Sequence, residues 1–375
     1  MRTLLKSAYN FLRKPIFRMR GYKLLTWKET SGFLNSFNAK YSPRHALVLS
    51  QTNNAGNPEA ILFQPREIFA EAVYVWKYEG DKKNGHLSRY GSVIINGNVL
   101  CTDSSLQSFF KDIWKPDTRP AKHVAAMIAL FSQWQDGILY GGYYDFIFCL
   151  AAKLCRIKDA FPNENFSNWH ISYPMFGTRY ENEILELLGI EKNKVVDSRE
   201  YKLISPQILL ANEPSWYPNK EDIFSLKRHI FEKINPLKKS AERIYISRSG
   251  RRKVINESEL IAVLRKYDFT IIEDKPRSVS EQVSIYYNAS FIIGPHGASF
   301  SNIIWCRPGT HLMELFSPNY APDFFLYLAT ITGVSYSAIY EGERDPSIIH
   351  GQGLEDDIYI SIPKLEAYLT EKLNV

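Results

Sequence analysis

Residues 291–318 read FIIGPHGASFSNIIWCRPGTHLMELFSP. An apolar run ends in Gly294-Pro295-His296-Gly297-Ala298, and a second apolar run ends in Glu314-Leu315. Glycines at 294 and 297 allow a tight turn and the close approach of a ligand to the peptide planes. A helix beginning there points free N–H groups and a partial positive charge at the same spot, and His296 can donate to a phosphate oxygen. A nucleotide diphosphate fits this chemistry; a tight strand-to-helix turn with a structural histidine also fits the residues. Glu314, at the end of the next apolar run, is placed to bind two ribose hydroxyls or to form a strand-end salt bridge.

Two further stretches bear on the same chemistry. In YISRSGRRKVINE (245–257), Arg248 follows an apolar run directly, and Arg251, Arg252 and Lys253 follow in a glycine-containing loop. An arginine there can grip a diphosphate bidentately. Arg248 and Arg252 are taken as anion contacts, whereas Arg251 and Lys253 read as a solvated basic turn. In GGYYDFIFCLAAKL (141–154), Asp145 stands among aromatic residues near the start of an apolar helix. Desolvation raises a carboxyl pKa toward the range of a general base. An aspartate in a first helical turn also satisfies free N–H groups, and both readings stay open.

The elements that must carry these residues follow from pattern. Strands are expected at 243–248, 269–274, 291–295, 310–316 and 334–340, with helices at 256–268, 279–290, 297–305 and 322–333. Asn256 is read as an N-cap with Glu259 completing a capping box. This alternation implies a parallel sheet that binds ligands at the carboxyl ends of its strands. Further upstream, 45–50 and 72–78 look like strands, Asn96-Gly97 marks a hairpin, and 121–134 and 143–160 look helical. The proline-bearing stretch 205–222 marks a domain boundary.

The chain has 375 residues and a formal charge of +6, yet eight basic residues precede the first acidic one, Glu29. The remainder is nearly neutral, which argues against a nucleic-acid groove. In residues 1–28 the basic residues accompany an apolar stripe suited to an anionic membrane surface. The four cysteines show no C-x-x-C pair and no zinc-like spacing, consistent with a reducing cytosol. There is no D-x-D triplet and no H-x-x-x-H pair, so neither a metal nor another cofactor is expected.

Taken together, Arg248, Asn256-Glu257, Gly294-x-His296-Gly297-Ala298, Asn302, Pro308-Gly309 and Glu314-Leu315 resemble glycosyltransferase family 61, over roughly residues 140–320. The resemblance implies an inverting, metal-independent transferase of GT-B type, an α/β protein with two Rossmann-like domains facing a cleft. It implies donor contacts from Arg248, Arg252, Gly294, His296, Gly297, Ala298, Ser299, Asn302 and Glu314, with a nucleotide sugar on the C-terminal domain. Family members commonly read Asn-Tyr-Tyr-His with an aspartate four residues beyond. Here Gly142-Tyr143-Tyr144-Asp145 and Cys149 occupy those places, which leaves Asp145 as the candidate base.

The expected organisation is a basic segment 1–28, an acceptor-side domain 29–210, a donor domain 211–350 and a C-terminal helix 351–375. The expected function is transfer of a hexose or pentose from a nucleotide sugar to a glycan or lipid-linked acceptor. Bacterial cell-surface polysaccharide synthesis at the inner face of the membrane is the expected setting. The alternatives are an inactive nucleotide- or glycan-binding protein on the same scaffold and, less well matched, an anionic-surface protein led by its N-terminus.

Overall fold

The structure is a computed structural model that describes residues 15–374, apart from 81–83, 104–115, 133–141, 214, 239–241, 346 and 349–351. Arg2, Lys6, Arg13 and Lys14 of the basic N-terminal segment lie outside the described residues. The chain forms a mixed α/β protein of two compact units. The first comprises Met1–His45 and Ala70–Lys233, and the second Ala46–Phe69 and Ile234–Val375. The turn-rich stretch 205–222 holds the strand Gln207–Ala211 and lies within the first unit.

In the first unit, the strands Val195–Asp197, His170–Tyr173, Ala126–Ala129 and Gln207–Ala211 are parallel neighbours in that order. Val73–Glu79 and Asn38–Ser42 extend the same sheet antiparallel. The expected helix over 121–134 is not formed; its described part holds two strands, Ala121–His123 and Ala126–Ala129. Ala126–Ala129 is buried throughout and paired on both sides, and such a short apolar run has the same local signature as a piece of buried helix. Long-range pairing therefore overrides the helix propensity of its alanines. The Asn96-Gly97 hairpin is present, with both residues at positive φ between antiparallel strands.

The expected helix at 143–160 forms, with a break in its winding. Tyr143–Asp145 and Ala152–Ala160 are α-helical, and Phe146–Ala151 between them is a π-helical segment. Every residue of the π segment is buried, so packing on all sides stabilises a winding that is rare in isolation.

The second unit carries one seven-stranded sheet. Its strands in chain order are β1 (Thr52–Asn54), β2 (Asn57–Phe63), β3 (Glu242–Ile246), β4 (Phe269–Ile272), β5 (Ala289–Pro295), β6 (His311–Phe316) and β7 (Ser335–Tyr340). The spatial order is β4-β3-β5-β6-β7-β1-β2. All pairings from β4 to β1 are parallel, and β2 closes the edge antiparallel. The helices are α1 (Glu257–Lys266), α2 (Val279–Asn288), α3 (Phe324–Thr332) and α4 (Ile362–Leu373). Residues 298–305, expected as an α-helix, wind as a 3-10 helix instead.

Counted along the chain from β3, the order is 2-1-3-4-5, so the connections leave β3 and β5 in opposite directions. The carboxyl ends of β3 and β5 thus flank a topological switch point, where open parallel sheets bind ligands. An apolar cluster packs one side of the unit: Tyr245 of β3, Leu260 and Leu264 of α1, Phe291 and Ile293 of β5, Met313 and Leu315 of β6, and Leu365 and Leu369 of α4. Burying each large apolar side chain contributes about 1.5–3 kcal/mol, so the strand ends sit on a rigid base.

Candidate active site

Arg248 follows β3 by two residues, and His296 follows β5 directly. Arg248 Nη1 donates to the His296 carbonyl at 2.9 Å, which joins the two strand ends. The His296 N–H donates to the Leu315 carbonyl at 2.9 Å, continuing the β5–β6 ladder one step beyond the strand. Glu314 sits opposite Gly294 in that ladder, and its Oε1 lies 2.7 Å from His296 Nδ1. The three residues that sequence reasoning grouped together therefore converge.

The two glycines do not act as expected. Neither lies in the left-handed region of φ, and Gly297 is extended, so conformational freedom is not their contribution. Each supplies space. A Cβ at Gly294 would lie 2.9 Å from the Ile246 carbonyl oxygen and 3.1 Å from the Phe300 ring. A Cβ at Gly297 would lie 1.9 Å from Arg248 Nη1. Gly294 thus lets β3 and the 3-10 helix close on β5, and Gly297 leaves room for the Arg248 guanidinium. Ala298 and Ser299 are exposed at the start of the 3-10 helix.

Arg252 is the cation that the fold singles out. It is 6% exposed and its φ is +61°, a region non-glycine residues seldom adopt. Its guanidinium lies 5.4 Å from the centre of the Tyr320 ring. Its Nε is buried without a hydrogen bond, and the guanidinium makes no salt bridge among the described residues. Burial, then the nearby Arg248 charge, lowers its pKa to about 10. Burial also lowers that of Arg248, with Arg251 adding to the effect. Two partly desolvated cations side by side are costly unless an anion joins them. By contrast Arg251 pairs with Glu355 at 2.8 Å and Lys253 approaches Asp357 at 3.9 Å, both exposed, as expected for a solvated turn.

His296 and Glu314 are buried together, at 4% and 0% exposure. The imidazole stacks on Phe316 and meets Tyr320 and Phe325 at ring separations of 5.1–5.6 Å. Burial, followed by the charges of Arg252 and Arg248, pushes its pKa well below the ordinary value. Burial raises Glu314 to about 8, against the lowering effects of the Tyr336 hydrogen bond and Arg252. The Tyr336 hydroxyl donates to Glu314 Oε2 at 2.6 Å. Both carboxyl oxygens are thus engaged inside the protein, which is not the open ribose ligand that sequence suggested. Asn302 is likewise internal: its amide donates to Gln282 and to the Ser299 carbonyl and accepts from Trp305. Asn256 stands at the start of α1 without a side-chain capping bond; it donates to Ile360 O and accepts from Ile360 N instead.

Asp145 belongs to the first unit. It is 2% exposed; Oδ2 accepts from the Gly142 N–H at 2.8 Å, and Oδ1 is buried without a hydrogen bond. Burial raises its pKa to about 7, the range of a general base at neutral pH. The bond from Gly142 is that of a first-turn aspartate, and the burial is that of a desolvated carboxyl. One and two helical turns on lie Cys149 and Lys153, both buried. Arg156 beyond them approaches Asp222 at 3.5 Å and Glu213 at 3.9 Å. Sequence reasoning missed this buried ionic network, because its acidic members come from 213 and 222, distant in the chain.

Among the described residues no group of three or more His, Cys, Asp or Glu side chains is placed to hold a metal ion. No described helix is long and apolar enough to cross a membrane.

Residues 153–313 match the model of the family described as Glycosyltransferase 61. A curated relative, the EGF domain-specific O-linked N-acetylglucosamine transferase of Drosophila melanogaster, is 31% identical over 96 residues. That match covers 24% of this chain and 18% of the relative. The relative is an animal protein, so the expected bacterial setting draws no support from it.

Proposed function

Since residues 153–313 match the model of the family described as Glycosyltransferase 61, we propose that the chain transfers a sugar from a nucleotide donor whose diphosphate is held by the second unit. The observation that carries this reading is that Arg248 and a buried Arg252, which has no salt bridge among the described residues, bring two mutually repelling cations to the switch point of a parallel sheet. A diphosphate supplies the missing anion. Arg248 and Arg252 bind its oxygens, the N–H groups at 297–299 add hydrogen bonds, and His296 donates from Nε2.

In the reaction, an acceptor hydroxyl attacks the anomeric carbon as the bond to the diphosphate oxygen breaks. A single displacement inverts the configuration there. The proton leaving the acceptor goes to Asp145 of the first unit, whose raised pKa suits it. The charge developing on the leaving diphosphate meets cations already fixed in place, and such preorganised groups stabilise a transition state without reorganising. The proposal includes the two-domain GT-B arrangement, with donor on the second unit and a glycan or lipid-linked acceptor on the first. Residues 1–28 are proposed to contact an anionic membrane surface, on charge and spacing alone.

The test is a panel of sugar nucleotides, including that of N-acetylglucosamine in view of the Drosophila relative's name. Transfer or hydrolysis of one of them, lost in Arg248→Ala, is the expected result. No turnover and no binding of any nucleotide would overturn the proposal. Nucleotide binding without turnover would favour a binding protein, the reading prompted by buried Cys149 where family members carry an aspartate.

A further inference from the structure

We propose that Glu314 is a positioning residue, which decides which ring nitrogen of His296 carries the proton presented to the diphosphate. This rests on the donor site proposed above and goes beyond it by giving the buried carboxyl a different task from ribose binding.

The geometry leaves few choices. Glu314 Oε1 lies 2.7 Å from His296 Nδ1, and Glu314 Oε2 accepts from Tyr336 at 2.6 Å. The ring is clamped by Phe316, Tyr320 and Phe325, so it cannot turn to exchange its nitrogens without disturbing three aromatic contacts. A neutral imidazole has one N–H and one lone pair. When Glu314 is a carboxylic acid, its O–H donates to Nδ1 and the ring proton sits on Nε2. That nitrogen can then donate to a phosphate oxygen. When Glu314 is a carboxylate, Nδ1–H donates to it and Nε2 turns a lone pair toward the ligand, which repels phosphate. The change releases one proton: the carboxyl proton moves to Nδ1 while the proton on Nε2 leaves to solvent.

The groups around the pair set where this occurs. Arg252 and Arg248 come from the loop after β3, Tyr320 from the loop after β6 and Tyr336 from β7. Asp323, before α3, adds its negative charge and is itself paired with Arg66. Burial opposes charge on both partners, so the doubly neutral form prevails at neutral pH, and Glu314 ionises at about 8. Arg252, lowered to about 10, remains charged through this interval.

Two measurements test the idea. The first is the two-bond proton–nitrogen spectrum of the chain labelled with nitrogen-15 histidine, with His296→Gln identifying the signal. Wild type should show Nε2–H at pH about 7 and Nδ1–H at pH about 9. Glu314→Gln places an amide N–H donor against Nδ1 and should show Nε2–H throughout. Tyr336→Phe removes a hydrogen bond that favours the carboxylate, so its exchange should move to higher pH. The second is calorimetric binding of uridine diphosphate over the same interval. Wild-type affinity should fall about tenfold, the worth of one hydrogen bond to a charged group, and Glu314→Gln less than about twofold. An Nδ1–H wild type at pH about 7, or the same alkaline loss in Glu314→Gln, overturns the inference. If no nucleoside diphosphate binds, the donor-site proposal fails, while the spectrum alone decides the role of Glu314.

Discussion

Gly297→Ala isolates the geometry of the anion site from the stability of the fold. Gly297 has φ 177° and ψ 165°, extended backbone open to any residue, so alanine introduces no backbone strain. Its Cβ would lie 1.9 Å from Arg248 Nη1 and 3.1 Å from Cζ, and its three nearest neighbours all belong to that side chain. The flexible side chain must move, and its hydrogen bond to His296 O is lost. Folding loses one hydrogen bond and gains about 0.4–1 kcal/mol from the reduced freedom of the unfolded chain, so net stability changes by less than about 1 kcal/mol. Binding loses Arg248's contacts, at about 1.5–3 kcal/mol for each hydrogen bond to a charged group. Affinity for a nucleoside diphosphate should therefore fall by about 10- to 150-fold. Calorimetric titration of wild type, Gly297→Ala, Arg248→Ala and the double variant gives the cycle. The alanine at 297 should cost nothing once Arg248 is gone. An equal loss in both backgrounds would refute the reasoning, as would a collapse in stability.

Other expectations are as direct. Arg252→Met keeps apolar contact with Tyr320 but removes a buried cation that has no salt bridge among the described residues, so affinity for a diphosphate should drop at least about tenfold while thermal stability holds or rises. A large fall in melting temperature would contradict this. Asp145 holds its proton more tightly folded, at about 7, than unfolded, so its ionisation costs stability as pH rises from its ordinary 3.8 through 7. Asp145→Asn should flatten that slope in denaturant titrations, making the variant the more stable chain above pH about 7, and should abolish transfer. Arg251→Ala and Lys253→Ala break exposed pairs only; each should change stability by less than about 1 kcal/mol in denaturant titrations.

Much of the second unit was legible because its strands are short apolar runs punctuated by capped or glycine-started helices, and local pattern and tertiary pairing agree there. β1 and β2 were not, since residues 46–69 join a sheet whose other strands begin at 242. The Asn54 side chain bonds the backbone of Tyr340 across 286 positions, and no local signal marks it. Ala126–Ala129 was misread for a related reason: its partners at 170–173 and 207–211 decide its conformation.

At the site, Arg248, His296 and Glu314 could be read because each stands at or near a strand end, where a parallel sheet gathers them. The roles of the glycines could not, because a space-making glycine and a flexible one are the same letter. The engagement of Glu314 depends on Tyr336 from the neighbouring strand, and the isolation of Arg252 on how the 249–254 loop folds. Burial of this kind becomes visible only when the elements are packed.

A crystal structure of the chain with a bound nucleoside diphosphate puts the central claim to its most direct test. The diphosphate should lie within hydrogen-bond reach of Arg248 and Arg252, against the amides of 297–299, with His296 Nε2 facing it. A nucleotide bound elsewhere, with both guanidinium groups untouched, would contradict the account.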